Sequence, residues 1–222
     1  MTTTPLPTQP PTEPVPVLAG VAGPVRVTVA IPTYRRPDDL RALLPLVLEQ
    51  AREVSGTGRY AVDVLVVDND PEGSGVAADS VPGVRYVAEP TPGIAAVRNR
   101  ALDEAAGARL LAFIDDDERP AAGWLGRLLE TWEASGAAAV SGRVLAEYAA
   151  ELDPWIRAGE FFVRRSMPTG ATIHVAATNN LLLDLDQVRR LGGRFDPALG
   201  LGGGEDTLFS RGLARAGGRM VW

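Results

Sequence analysis

The stretch Leu110-Leu111-Ala112-Phe113-Ile114-Asp115-Asp116-Asp117 decides how this chain folds. Five apolar residues in a row suit a strand buried on both faces, as in a parallel sheet. The three aspartates would then emerge at its carboxyl end, where open α/β sheets hold their ligands. Like charges this close repel one another, so the triplet calls for a cation or strong solvation. Oxygen-only donors suit Mg²⁺ or Mn²⁺, and those cations in turn suit a diphosphate. Taken alone, the triplet is explained equally well as an acidic loop, with Glu118 and Pro120 opening the next helix.

The pattern on either side favours the strand. Val25–Ile31 is β-branched and alternating, and Pro32 closes it. After Pro37, the apolar residues Leu40, Leu43, Leu44, Val47 and Leu48 recur at helical spacing, with Pro45 expected to kink that helix. A loop at Ser55–Gly58 leads to the strand Val62–Val67, which ends in Asp68-Asn69-Asp70. A short strand near Val84–Val87 follows, then a helix opening at Gly93 and carrying Ile94, Val97, Ala101, Leu102 and Ala105. Beyond the acidic triplet the pattern predicts a helix over 121–134 and a strand over 137–144. Strand–helix alternation through residue 145 indicates a parallel α/β sheet.

The second half is less regular. Trp155–Pro168 has no periodicity, Ile173–Ala177 resembles a strand leading to Thr178-Asn179-Asn180, and a short helix is expected near Gln187–Leu191. Gly202-Gly203-Gly204 delivers Glu205-Asp206 to a helix reaching about Ala216. The chain stops at Met220-Val221-Trp222, inside an expected strand, so its C-terminal part is expected to be truncated. Residues 1–24 hold seven prolines and one charge, Glu13, which predicts a disordered tail ahead of a domain spanning 25–222.

Composition narrows the chemistry. The net charge of −6 argues against a nucleic-acid partner. There is no cysteine, so thiol nucleophiles and thiolate metal sites are excluded. All 22 basic residues are arginine, which excludes a phosphate-binding or Schiff-base lysine. One histidine, His174, cannot build a multi-histidine metal site and is expected to be structural, inside an apolar strand. Carboxylates and arginines must do the work. No transmembrane segment is predicted, because Pro168, Gly170, His174, Asn179 and Asn180 interrupt the longest charge-poor stretch of interest, 166–183.

Five pieces in order carry a family resemblance: Val29-Ala30-Ile31-Pro32-Thr33-Tyr34-Arg35-Arg36, Val66-Val67-Asp68-Asn69-Asp70, Gly93–Ala101 with Arg98-Asn99, Phe113–Glu118, and Gly203-Gly204-Glu205-Asp206. The chain resembles the family 2 glycosyltransferases of the GT-A fold, from about residue 25 to the end. Within them it is most similar to bacterial succinoglycan-type exopolysaccharide transferases. The resemblance implies a Rossmann-like, mostly parallel sheet flanked by helices, with a nucleotide-sugar-binding half over about 25–120 and an acceptor-binding half over about 121–222. It implies a hexosyltransferase, metal-dependent and inverting, that takes a sugar from a UDP-sugar to a glycan or lipid-linked acceptor. It also implies a cytoplasmic enzyme, peripheral at the inner face of the membrane.

The resemblance also assigns roles. Tyr34 would stack on the base, with Pro32 and Thr33 shaping its pocket; Asp68 and Asn69 would meet the base edge. Asn69 departs from the commoner double-aspartate pattern, which leaves the base preference open. Asp117 would bind Mn²⁺ or Mg²⁺. Asp115 would join it as a ligand or, with Asp116, reach the ribose or metal-bound water. Arg98 would lie beside the diphosphate and Asp206 would be the catalytic base, while Asn179, Asn180 and Glu205 would face the acceptor. Trp155, Phe161 and Phe162 suit an acceptor groove or a core equally. Three rivals stand beside this reading. A dehalogenase-type phosphatase normally needs a lysine that is absent here, a glycosidase leaves Tyr34 unexplained, and a nucleotide-sugar-binding module would share the site without the catalysis.

Overall fold

The computed structural model describes residues 23–148, 150–164, 166–199 and 202–222. The predicted tail therefore lies almost wholly outside the described residues. Eight strands form one sheet: β1 (Val25–Thr33), β2 (Tyr60–Asp68), β3 (Val84–Ala88), β4 (Leu110–Ile114), β5 (Ala139–Ser141), β6 (Thr172–Ile173), β7 (Asn180–Asp184) and β8 (Met220–Val221). Their order is β3-β2-β1-β4-β7-β5-β8-β6. β1 to β4 are parallel, β7 runs antiparallel to both β4 and β5, β8 is parallel to β5, and β6 is antiparallel to β8. All strands except β6 and β7 therefore point one way, as the α/β expectation requires. The order reverses between β1 and β4, which makes their carboxyl ends the switch point of the sheet.

The period of two sorts side chains into two cores. Val27, Val29 and Ile31 of β1, Val64 and Val66 of β2, and Leu110, Ala112 and Ile114 of β4 face one layer. There they meet helices α1 (Pro37–Gly56) and α3 (Trp124–Ser135), through Leu40, Leu43, Val47, Leu125, Leu129 and Trp132. The alternate residues Ala30, Leu65, Val67, Leu111 and Phe113 face the opposite layer. That layer holds α2 (Ile94–Glu104), α5 (Leu185–Arg190) and α6 (Glu205–Arg215), with the short helix α4 (Pro154–Gly159) apart from both cores. Every residue of β4 is buried, so the sheet is covered on both faces there.

The main correction is β7. No strand was expected over 180–184, yet Asn180–Asp184 is wholly buried between β4 and β5. The segment ends in polar residues that pass for loop, and its antiparallel partners lie far away in sequence. The predicted strand over 173–177 shrinks to Thr172–Ile173, leaving His174 exposed and outside it. The strand expected over 137–144 is confined to Ala139–Ser141. α1 continues across Pro45, with both apolar stretches seated on the first core. Trp155, Phe161 and Phe162 pack in no core: all three are exposed, and Trp155 lies edge-on to Phe161.

Asp184 shows what holds the β7 insertion. Its carboxylate, fully buried, accepts from Arg109 Nη2 (2.7 Å), Trp132 Nε1 (3.2 Å), Gln187 Nε2 (3.1 Å) and the Gln187 amide (3.1 Å), which also caps α5. Burial alone would push this carboxyl up; the bonds from Arg109 and Gln187 outweigh it and hold it below its usual value. Its stabilisation is thus present above the unfolded-state value and lost as pH falls through the lower folded one. Asp184→Asn should cost about 1.5–3 kcal/mol, the range for hydrogen bonds to charged groups. Denaturant titrations from neutral to acid pH should show the wild-type advantage shrinking on the acid side; a gap that stays constant with pH would count against this account.

Candidate active site

A cleft of ≈ 780 Å³ opens at the carboxyl ends of β1 and β4. Pro32, Thr33 and Tyr34 line it from the end of β1, Asn69 from beyond β2, Asp115 and Asp116 from beyond β4, and Gly203 to Asp206 from the approach to α6. Residues far apart in sequence converge because parallel strands deliver their ends to one edge: Thr33 stands in register with Asp68, and Ala30 with Phe113.

Four carboxylates crowd the turn after β4. Asp116, nearly buried, accepts from Thr33 Oγ1 (2.8 Å) and Arg36 Nη1 (3.1 Å). Burial pushes its carboxyl up, against the opposing pull of Thr33 and Arg36. Burial likewise raises Asp115 to about 6; Arg98 opposes the shift, and Asp117 and Asp116 add to it. Glu118 is raised to about 8, first by burial and then by Asp115, although Asn179 Nδ2 donates to it at 2.6 Å. Asp117 is exposed and shares the Arg36 guanidinium. Arg36 and Glu118 lie within the family pieces; sequence reasoning assigned Arg36 no role and Glu118 only the opening of the next helix, since neither stood out from neighbouring charges.

Among the described residues, no three His, Cys, Asp or Glu side chains form a group that could hold a metal ion unaided. A cation that sits between protein and diphosphate needs only one or two carboxylates, the remaining ligands being phosphate oxygens and water. The excess negative charge at 115–118 and its all-oxygen donors fit that arrangement.

Several expected contacts are occupied otherwise. Asp68 is not among the residues lining the cleft: it is fully buried and accepts from the Asp70 amide (2.9 Å), the Gly75 amide (2.7 Å) and the Tyr86 hydroxyl (3.0 Å). Asn69 donates to the carbonyls of Glu89 (2.7 Å) and Thr91 (2.8 Å) and accepts from the Gly93 amide (2.9 Å). It therefore staples the 89–93 wall of the cleft. Glu205 is buried and ion-paired with Arg98, so neither charge is free, although both line the cleft. Asn180 lies inside β7, accepting from Trp124 Nε1 (2.8 Å) and donating to the Arg143 carbonyl (3.0 Å). Asn179 points instead at Glu118. Tyr34 stays half exposed at the cleft wall with the Arg35 guanidinium 5.1 Å from its ring centre. Asp206 stands in the first turn of α6, with Oδ1 accepting from the Thr207 amide (2.6 Å).

The comparisons agree with this architecture. Residues 28–184 match the sequence profile described as "Glycosyl transferase family 2". The chain belongs to that family. It is 38% identical over 206 residues to the succinoglycan biosynthesis protein ExoM of Rhizobium meliloti (strain 1021), covering 89% of this chain and 64% of that protein. Two solved structures share the fold. S. aureus TarS 1–349 in complex with UDP-GlcNAc superposes with a TM-score of 0.66 at 15% identity, over 89% of this chain and 55% of that one. The mannosyltransferase PcManGT of Pyrobaculum calidifontis, in complex with GDP-Man and Mn²⁺, gives 0.62 at 23% identity, over 91% and 56%. The chain thus spans little more than half the length of these structures, and less than two thirds of the curated relative. No helix among the described residues is long and apolar enough to cross a membrane.

Asn69→Asp distinguishes the staple from a base contact. The change restores the commoner family pattern but sets a carboxylate against the Glu89 and Thr91 carbonyls. It should lower stability by about 1–3 kcal/mol, as for a buried acceptor left without its donor, and leave the order of nucleotide affinities intact. A changed base preference at unchanged stability, measured by calorimetry and melting, would return Asn69 to the base edge.

Proposed function

We propose that this chain carries a metal-dependent, inverting glycosyltransferase that moves a hexosyl group from a UDP-sugar to an acceptor hydroxyl in bacterial polysaccharide synthesis. The observation that carries this reading is the cleft itself. In a family 2 member, one space at the sheet switch point is lined by a half-exposed tyrosine, an acidic turn and a carboxylate in the first turn of a helix. The similarity to a succinoglycan biosynthesis protein supports the polysaccharide assignment, with a glycan or lipid-linked acceptor. Structures of the same fold that hold UDP-GlcNAc, GDP-Man or Mn²⁺ support a nucleotide-sugar donor and a divalent cation. A cytoplasmic protein, peripheral at the inner face of the membrane, accords with such an acceptor and with the lack of a spanning helix among the described residues.

In this mechanism Tyr34 stacks on the base, and Pro32 and Thr33 bound its pocket. Asp116, oriented by Thr33 and Arg36, faces the ribose. Asp117 and Asp115 would hold Mn²⁺ or Mg²⁺, which when bound supplies positive charge for the leaving diphosphate. Arg36, whose side chain is half exposed, is the arginine placed to add to that charge once a donor enters. Arg98 is left aside because Glu205 already neutralises it. Asp206 accepts the proton of the acceptor hydroxyl. The hydroxyl oxygen then bonds to the anomeric carbon, and the bond from that carbon to the diphosphate breaks in the same displacement. One displacement from the far side inverts the anomeric centre. Asn179, which donates to Glu118 beside the acidic turn, would face the acceptor.

Two measurements test the reading. Asp117→Asn should abolish most of the Mn²⁺-dependent UDP affinity while the melting temperature holds, since Asp117 is exposed. UDP binding that is undiminished in EDTA would remove the metal from the mechanism. Asp206→Asn should lower transfer by roughly 10²–10⁴-fold, the usual contribution of a general base, with donor affinity kept. Donor binding without transfer by either protein would identify a nucleotide-sugar-binding module.

A further inference from the structure

The helix that bears Asp206 enters through Gly202-Gly203-Gly204. Gly203 and Gly204 adopt φ of +75° and +88°, and a Cβ on either would touch nothing within 4 Å. Two glycines standing in open space give the entry of α6 no side-chain packing that could set how the helix is rotated or how deep it sits. Something on the helix side must do so.

Besides the packing of Phe209 and Leu213 in the second core and the Ser210 hydroxyl accepting from the Ala176 amide (3.2 Å), two adjacent residues of α2 act on the first turns of α6. Arg98 forms an ion pair with Glu205, the first residue of α6, and each side chain is only 7% exposed. Asn99 grips the backbone of Phe195 in both directions, its amide donating to the carbonyl (2.8 Å) and its carbonyl accepting from the Phe195 N–H (3.0 Å). The Phe195 ring stacks on Phe209 of α6, centroids 4.2 Å apart at 13°, and abuts Phe113 of β4 edge-on at 6.2 Å. The Arg98 guanidinium lies 5.8 Å from that ring centre. Glu205 and Phe209 are four residues apart, on one face of α6 and one turn from each other. The helix is thus held at two successive points by Arg98 and Asn99.

The ion pair is sparsely bonded for its burial. Among the described residues neither Arg98 Nε nor Glu205 Oε2 has a partner, though both residues line the cleft. A buried pair with orphaned atoms is a poor source of stability, so its value lies in the geometry it fixes. α2 is itself tied to the donor side, because its capping Gly93 donates to Asn69.

From this we infer that Arg98 and Asn99 are positioning residues that hold the α6 turn, and with it Asp206, in place over the donor cleft. The inference rests on the reading of Asp206 as the base. Asn99 does not line the cleft, so no donor-binding account gives it a role.

The test uses the full chain with Arg98→Gln, Asn99→Ala and Asp206→Asn. Transfer rate, Mn²⁺-dependent UDP affinity and amide hydrogen exchange over residues 204–210 would be followed in each. Arg98→Gln and Asn99→Ala should each cut turnover by ~10²-fold, as expected for a catalytic group displaced by about an ångström, with UDP affinity within ~3-fold of wild type. Exchange over 204–210 should quicken in both while β1 to β4 stay protected. Should Arg98→Gln instead weaken UDP binding tenfold or more, with Asn99→Ala at normal turnover and normal exchange, Arg98 is a donor ligand and the clamp is overturned. Undiminished turnover in Asp206→Asn would sink the base assignment; the exchange rates would still decide whether α2 holds α6.

Discussion

Electrostatic crowding at the end of β4 governs the rest of the site. That strand is buried on both faces, so its register with β1 and β7 leaves no freedom over where Asp115 to Glu118 emerge. Four carboxylates in one turn repel with energies that grow as water is excluded. The fold answers with Thr33 and Arg36 on Asp116, Arg36 on Asp117, and Asn179 on Glu118. Asp115 and Glu118 nonetheless stay raised, by burial first and by their acidic neighbours after it. A partly compensated anionic turn beside an open cleft is suited to taking up positive charge when a substrate arrives.

With no lysine in the chain, the ion pairs are built on arginine, and three of these residues show different uses of it. Arg36 serves the acidic turn with half its surface in water. Arg98 is committed inside the protein to Glu205. Arg109 secures the buried Asp184, and through it the junction of β7, α3 and α5. The planar fork of arginine lets one side chain bridge two acceptors, as Arg109 does between Asp184 and Asp186. The three differ mainly in exposure, and exposure separates a cation that can meet a ligand from one that only holds the frame.

Much of the donor-side frame was legible in the sequence. β1, β2 and β4 announce themselves by β-branched or unbroken apolar runs, and α1 and α2 by helical spacing, because local burial imposes those periods. Pairing across long sequence distances leaves no such mark. β7 wedges between β4 and β5, and nothing local to Asn180-Leu181-Leu182-Leu183-Asp184 tells a buried strand from a loop rim. The same limit governed the site. The residues expected along the cleft at 32–34, 115–116 and 205–206 do line it, yet motif position could not tell which polar groups were already committed. Asp68, Glu205 and Asn180 are each engaged by partners from other elements, which no spacing rule reveals.

Asn69 shows how a single departure from a family pattern propagates. An aspartate there would offer acceptors only, whereas this loop presents two carbonyls, Glu89 and Thr91, together with one N–H from Gly93. An amide meets all three and a carboxylate meets one. The substitution thus matches the chemistry of the facing backbone and ties the cleft wall to the cap of α2. Asp68 and Asn69 are both engaged inside the protein, while Tyr34 stands half exposed at the cleft wall. Stacking discriminates weakly among bases because each presents a π-face. Under the proposed mechanism, with Tyr34 stacked on the base, affinity for the nucleoside and choice among nucleosides would rest on different groups.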